Sequence, residues 1–397
     1  MRIVVLTSLL PWPLSSGGQA RQFHLLDGVR AEHEITLVVE SHGAGTRAAY
    51  DQLAALWPGV RIMSSPVDGD TPAPAEPALA AWRALARDAR ERLDPNRSLV
   101  LRYPDPPTAL ALLQALDGGA DVLHVELTQM FRYVPPAPRP PVVLVAEDVL
   151  SRRDARAGRV PGAARHVELT DRRARRHEAA AFRSADMVVV TGEPDAVAAR
   201  AMGARAVRVV PNGAPDSLTE VPAGGAADRL VFVGWGGHSP NRDALDWWSS
   251  SIAPLLPPGT VLDVAGSGWE GASPSPAVRM LGFVDSLPGL LRDAVLVAPL
   301  RVGGGTKLKV VEAMAAGRPI IATPVAVEGL PVRDGVEALV RDTPEGIVAA
   351  IATLRGDPDM RLRLGSAARE ASHPLLWSAV QRQMASVYRD VAAGVAG

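Results

Sequence analysis

Cysteine is missing from all 397 residues. That excludes disulfides, thiolate metal centres and a cysteine nucleophile, and it fits the expectation of a cytoplasmic protein. Net charge is nearly missing too, with 42 Lys and Arg against 43 Asp and Glu. So balanced a chain has no overall field to draw nucleic acid or an anionic membrane. No apolar run is long enough to cross a bilayer. The first apolar run is minimal, and Pro11-Trp12-Pro13 and Gly17-Gly18 stand where a leader would be cleaved, so a secretory leader is not expected. The eight histidines show no H-x-H or H-E-x-x-H spacing. A protein-held metal is therefore not expected, and neither is a resident cofactor. There is no G-x-S-x-G elbow and no Walker A lysine.

What is present is an alternation of short apolar runs with helical patterns, the signature of a mostly parallel, helix-covered sheet. Strands are predicted over 3–9, 35–39, 60–63, 122–125, 142–145, 187–191 and 207–210, with helices over 19–30, 46–56, 78–93, up to 116, and 163–182. The turn cluster Pro211-Asn212-Gly213-Ala214-Pro215 divides the chain, and the pattern then restarts. Strands follow over 230–233, 261–265, 279–283 and 295–299, with a helix over 243–252. In the last helix, over 376–393, Trp377, Val380, Met384, Val387 and Val391 form one apolar stripe.

The most informative stretch is 301–323. A strand runs into Gly303-Gly304-Gly305, after which Thr306 is placed to cap a helix reaching Ala316, closed by Gly317 and Arg318-Pro319. A glycine-opened loop at a helix N-terminus, flanked by Arg301, Lys307 and Lys309, suits a phosphorylated ligand. Glu312 follows Lys309 by three residues and leans back towards the loop. It reads either as an ion-pair partner of Lys309 or as a carboxylate for vicinal hydroxyls such as those of a ribose. Gly17-Gly18, after the first strand, reads either as a plain turn or as a place where backbone approaches a ligand at the sheet's carboxyl edge.

Three other motifs carry less. Gly266-Ser267-Gly268-Trp269-Glu270-Gly271 matches G-x-G-x-x-G, with Asp285 near the spacing of a ribose-binding acid. The Ser and Pro residues at 273–276 cannot open the helix that a dinucleotide site needs, so a nicotinamide-dependent oxidoreductase is the weaker reading. Asp68-Gly69-Asp70 reads as a solvated turn rather than a metal pair. The arginine-rich stretch 151–183 reads mainly as a solvated helix face, with peripheral membrane contact or an acidic acceptor as the alternative.

Taken together, several of these pieces resemble glycosyltransferases of the GT-B fold, most closely the retaining family 4. The resemblance rests on 11–18 with its double glycine, PNG at 211–213, FVGWGGHSPNRDAL at 232–245, LGFVD at 281–285, 298–323, and VEGL at 327–330. It implies an α/β protein of two Rossmann-like domains whose parallel sheets face a central cleft: 1–212 for the acceptor, 213–375 for a nucleotide sugar, and 376–397 as a helix crossing back to the first. It also implies transfer of a sugar from a nucleotide-diphosphate donor to a small-molecule or glycan acceptor, without a metal.

Carried over by position, Glu312 matches the ribose-binding acid of a Glu-x7-Glu motif, whose first acid would fall at Gly304. Contacts to the sugar would then come from the N–H groups of Gly303, Gly304, Gly305 and Thr306. Arg301, Lys307 and Lys309 would hold the diphosphate, Arg301 and Lys309 catalytically. Gly17, Gly18, Gly234, Asn241, Phe283 and Val284 would complete the donor side. Glu147 stands where many members carry a histidine near the reacting sugar, to stabilise positive charge or accept a proton, and Glu126 and Asp148 would meet the acceptor. The missing first acid keeps a second alternative open, a non-catalytic carbohydrate-binding protein.

Overall fold

In the computed structural model, residues 1–40, 46–64, 106–157, 164–226, 229–270 and 275–394 are described. The helix expected over 78–93 and the Asp68-Gly69-Asp70 triplet lie outside them.

Two parallel sheets organise the chain. The first has seven strands in the order β3-β2-β1-β4-β5-β6-β7. They are β1 (Arg2–Thr7), β2 (Glu34–Val39), β3 (Arg61–Ser64), β4 (Val122–Glu126), β5 (Val142–Ala146), β6 (Met187–Val190) and β7 (Val207–Val209). The second has six in the order β10-β9-β8-β11-β12-β13. These are β8 (Arg229–Val233), β9 (Leu262–Ala265), β10 (Val278–Gly282), β11 (Ala294–Ala298), β12 (Ile320–Ala322) and β13 (Leu339–Val340). The central strands β4, β5 and β11 are buried along their whole length, as helices on both faces require. In each sheet the strand order reverses beside the first strand, β1 or β8. Open α/β sheets bind ligands outside the carboxyl ends of their strands at such a point.

Alternation along β4 and β5 decides what each face carries. Leu123, Val125, Leu144 and Ala146 belong to one core layer. Val122, Val143 and Val145 belong to the other, with the helices Gly17–Val29 and Trp377–Ala392. The last helix therefore returns to the first sheet although it follows the second in sequence, as the resemblance implied. Its stripe of Trp377, Val380, Met384, Val387 and Val391 is buried there. Each such side chain contributes about 1.5–3 kcal/mol when fully buried. Side chains of the last helix press against glycine backbone at two places along this joint. A Cβ on Gly28 would lie 2.3 Å from Gln381, and one on Gly213 would lie 2.4 Å from Trp377. Gln381 also donates to the carbonyl of His24 at 2.7 Å.

Candidate functional site

The carboxyl ends of the two sheets meet at the loop between β11 and the helix Leu308–Ala315. Gly305 has φ +58°, and a Cβ there would sit 2.5 Å from the carbonyl oxygen of Glu147, just past β5. A Cβ on Gly304 would lie 2.7 Å from that of Asp148. Any side chain at 304 would therefore collide with the opposite sheet's loop. That is a physical reason for glycine where the resembling family carries an acid.

Thr306 does not cap the helix, contrary to expectation. Lys307 holds the N-cap position without a side-chain bond. Thr306 is spent on the joint instead. Its N–H donates to the Thr191 hydroxyl at 3.1 Å, and its carbonyl accepts from the Asn212 side chain at 2.7 Å. The Thr191 hydroxyl in turn donates to the Glu147 carbonyl at 3.0 Å. The Thr306 N–H is thus not among the groups left for a ligand.

Two of the three flanking cations come close to the helix start, and the third turns away. Lys309 Nζ donates to Asn241 Oδ1 at 2.7 Å and lies 3.7 Å from the Phe232 ring centroid. A Cβ on Gly234 would stand 3.0 Å from the same Nζ, so glycine there leaves room for the ammonium. Burial, opposed by Glu312 and assisted by Lys307, brings Lys309 down to about 7. Burial likewise raises Glu312 to about 7, against the pull of Lys309. Lys307 donates to the carbonyls of Gly304, at 3.0 Å, and Gly305, and burial lowers it to about 8. Arg301 is engaged elsewhere. It forks onto Asp243, at 2.5 and 3.1 Å, and lies over the Trp247 ring. The expected triad of cations is therefore a pair. His238, next to this cluster, is held neutral: burial and then the charge of Lys309 bring it down to about 4.

Across the joint, Gly18 leaves a gap beside Glu147, whose Oε2 would lie 3.1 Å from a Cβ at that position. Gly17 plays the same part towards Leu308, at 3.1 Å. Burial raises Glu147 to about 8, helped by Glu126 and opposed by Arg21. Glu126 is buried at the end of β4 and accepts from His124 at 2.6 Å. Buried behind other groups, it is placed to act on Glu147 more directly than on an acceptor. Asp148 lies at the joint, 3.4 Å from Arg153. Phe283 is 65 % exposed after β10, whereas Val284 packs in a small satellite core.

The first-sheet half also holds residues that sequence reasoning passed over. Arg152 and Arg156 both reach Glu328, with Arg156 Nη1 at 2.6 Å and Arg152 Nη2 at 3.1 Å, and Arg156 also donates to the Gly303 carbonyl at 3.0 Å. Burial disfavours the charge on Glu328, but the Arg156 hydrogen bond and the two guanidinium charges outweigh it and lower Glu328. The arginine-rich stretch was expected to be a solvated face; at these two positions it is a clasp between the sheets. Arg21, buried, donates to the carbonyls of Val210 and Pro211 at 2.8 and 2.7 Å and to the Asn212 side chain at 3.1 Å. No local sequence signal marks it, because its partners lie about 190 residues away. The G-x-G-x-x-G run opens no helix among the described residues. Gly266 turns at φ +129° against the Gly234 carbonyl, and the next strand is β10.

Solved structures resemble the whole chain. Sucrose-phosphate synthase from Thermosynechococcus elongatus superposes with a TM-score of 0.70 at 18% identity, over 99% of this chain and 100% of that one. HepE from Anabaena, solved with UDP and also with UDP-glucose, gives 0.65 at 16% identity, over 98% and 100% in the UDP complex. With the two facing sheets and the returning helix, these likenesses define the fold as that of the GT-B glycosyltransferases.

Residues 227–357 match the family Glycosyl transferases group 1. A curated relative, D-inositol 3-phosphate glycosyltransferase from Corynebacterium glutamicum (strain R), is 31% identical over 122 residues. That match spans 29% of each chain.

Proposed function

We propose that the protein is a retaining glycosyltransferase that takes a sugar from a nucleotide-diphosphate donor bound to the second domain and passes it to a hydroxyl or amine acceptor at the first. The observation that carries this reading is the grouping of Lys309, Lys307 and Glu312 around the start of the helix Leu308–Ala315, directly opposite Glu147. The group 1 family match over that segment and the UDP and UDP-glucose complexes of HepE support it.

The chemistry follows from the charges. Breaking the anomeric C–O bond leaves negative charge on the diphosphate and positive charge on the sugar ring. Lys309 and Lys307, with the free N–H groups of a helix N-terminus, meet the first with protein cations rather than a metal ion. Both lysines sit in a site that disfavours charge when empty, so an arriving diphosphate restores their full protonation. Glu312, placed towards the same helix start, accepts from ribose hydroxyls. Exposed Phe283 offers a ring face to the base, and Asn241 and Gly234 hold Lys309 in place. The carboxylate side of the first sheet, at Glu147 and Asp148, faces the sugar and its acceptor. The acceptor is a small molecule or a glycan, reached in the cytoplasm.

A thermal-shift series tests the donor site. A nucleoside diphosphate at about 100 times its Kd adds about 2.7 kcal/mol to the folded state. At least one nucleoside diphosphate or its sugar is expected to raise the melting temperature, and Glu312→Ala to abolish the rise while leaving the unliganded protein folded. Stabilisation by nicotinamide dinucleotides alone, or a full response in the variant, would refute the assignment.

A further inference from the structure

The alternation of β4 puts His124 and Glu126 on the face covered by the returning helix, and register places Glu126 beside Val145 of β5. Two residues beyond Val145 stands Glu147, so the two glutamates are neighbours at the rim of one face. Each keeps one carboxylate oxygen, Oε1, buried and without a conventional donor. Their other partners are largely committed. Glu126 Oε2 is held by His124 Nε2 at 2.6 Å, and His124 Nδ1 meets the Tyr388 hydroxyl at 2.5 Å. The tautomer that satisfies both contacts keeps the proton on Nε2 and takes the Tyr388 hydrogen on Nδ1. Arg21 faces both carboxylates; its Nη atoms are bonded to Val210, Pro211 and Asn212 and its buried Nε has no partner, so it balances one negative charge without donating to either. Asp148 adds a further negative charge nearby. Two buried carboxylates that share one guanidinium charge and receive no hydrogen bond from it cannot both ionise cheaply.

We propose that Glu126 and Glu147 share a single proton between their Oε1 atoms, so that the pair presents one negative charge and leaves Glu147 Oε2, beside Gly18, as a hydrogen-bond acceptor for a substrate hydroxyl. This rests on the glycosyltransferase reading and sharpens the part Glu147 plays in it. A pair that already holds a proton orients the hydroxyl instead of stripping it, and its remaining charge faces the positive sugar ring. Glu126 is then a positioning residue, held from below by His124 and Tyr388 of the last helix. The upward pull on Glu147, with burial first and Glu126 second among its causes, agrees with this arrangement.

Infrared difference spectroscopy of the unliganded protein tests the pair without any transfer reaction. Wild type minus Glu147→Gln at pH 7 is expected to show a protonated-carboxyl band, fading as the pH rises through about 8. Glu126→Gln keeps an acceptor for His124 and gains an amide donor to Glu147, so it is expected to fold and to lower that midpoint by about one pH unit or more. No difference band at pH 7, or an unmoved midpoint in Glu126→Gln, would overturn the proposal. If that variant does not fold, the presence or absence of the band decides alone. Because no donor is involved, failure here leaves the donor-site assignment intact, and failure of that assignment leaves the band unaffected.

Discussion

Lys309→Met separates what a buried cation does for folding from what it does for the ligand. In the folded chain Lys309 ionises at about 7 rather than at its ordinary 10.5. Keeping it folded at pH 7 therefore costs on the order of 4 kcal/mol relative to the unfolded chain. Methionine, of similar length and uncharged, removes that term. Two losses oppose the gain. Asn241 Oδ1 forfeits its 2.7 Å donor, worth about 1 kcal/mol. Glu312 loses its counter-charge, but it ionises at about 7 already, so holding it neutral at pH 7 adds less than about 1 kcal/mol. The expected balance is a variant roughly 2 kcal/mol more stable than wild type without ligand, which is several degrees in melting temperature for a domain of this size.

The sign with pH follows from the lowered lysine. Its destabilisation is fully present below about 7, shrinks as the pH rises, and is gone above 10.5, so the two melting curves should converge between pH 7 and 9. Transfer should fall at the same time by about 100- to 1,000-fold in kcat/KM, the usual effect of removing one preorganised charge-stabilising group. Denaturant melts at pH 6, 7, 8 and 9 with a steady-state assay read both effects. A destabilised variant, or a stability gap independent of pH, would refute the reasoning, and unchanged turnover would remove Lys309 from the site.

Two further substitutions probe the joint. Glu328→Gln should cost about 1–2 kcal/mol at neutral pH by weakening the Arg152–Arg156 clasp. Because Glu328 is lowered in the folded chain, that stabilisation holds above its ordinary 4.5 and fades as the pH falls below it, which a series of acid melts would show. Gly213→Ala pushes a Cβ to 2.4 Å from the Trp377 ring. It should lower the melting temperature and speed hydrogen exchange in the last helix ahead of the second sheet, whereas unchanged protection there would contradict the docking described.

The outline of the fold could be read from the chain because its strands are local patterns. Apolar runs buried on both faces, and glycines at the strand-to-helix turns, follow from the needs of a parallel sheet, so β1 to β11 fall close to their expected places, whereas the two-residue β13 has no such pattern and was not expected. The apolar stripe on the last helix was equally visible, and only its partner came from the resemblance. The chemistry of the stretch 303–312 was legible for the same reason: three glycines, two lysines and a glutamate stand within ten residues of chain.

What the sequence could not decide is who meets whom across the joint. Arg301 looks like a phosphate cation beside its loop and is instead paired with Asp243; Thr306 looks like a cap and instead ties the loop to Thr191 and Asn212. The glycine at 304 reads as a lost acid until Asp148 is found against it. The Glu126–Glu147 neighbourhood, with Arg21, His124 and Tyr388 around it, joins four separate segments. Local pattern carries the forces that act along a helix or a strand. Burial and Coulomb terms depend on distances between segments far apart in the chain, so the protonation of this site is a property of the tertiary structure alone.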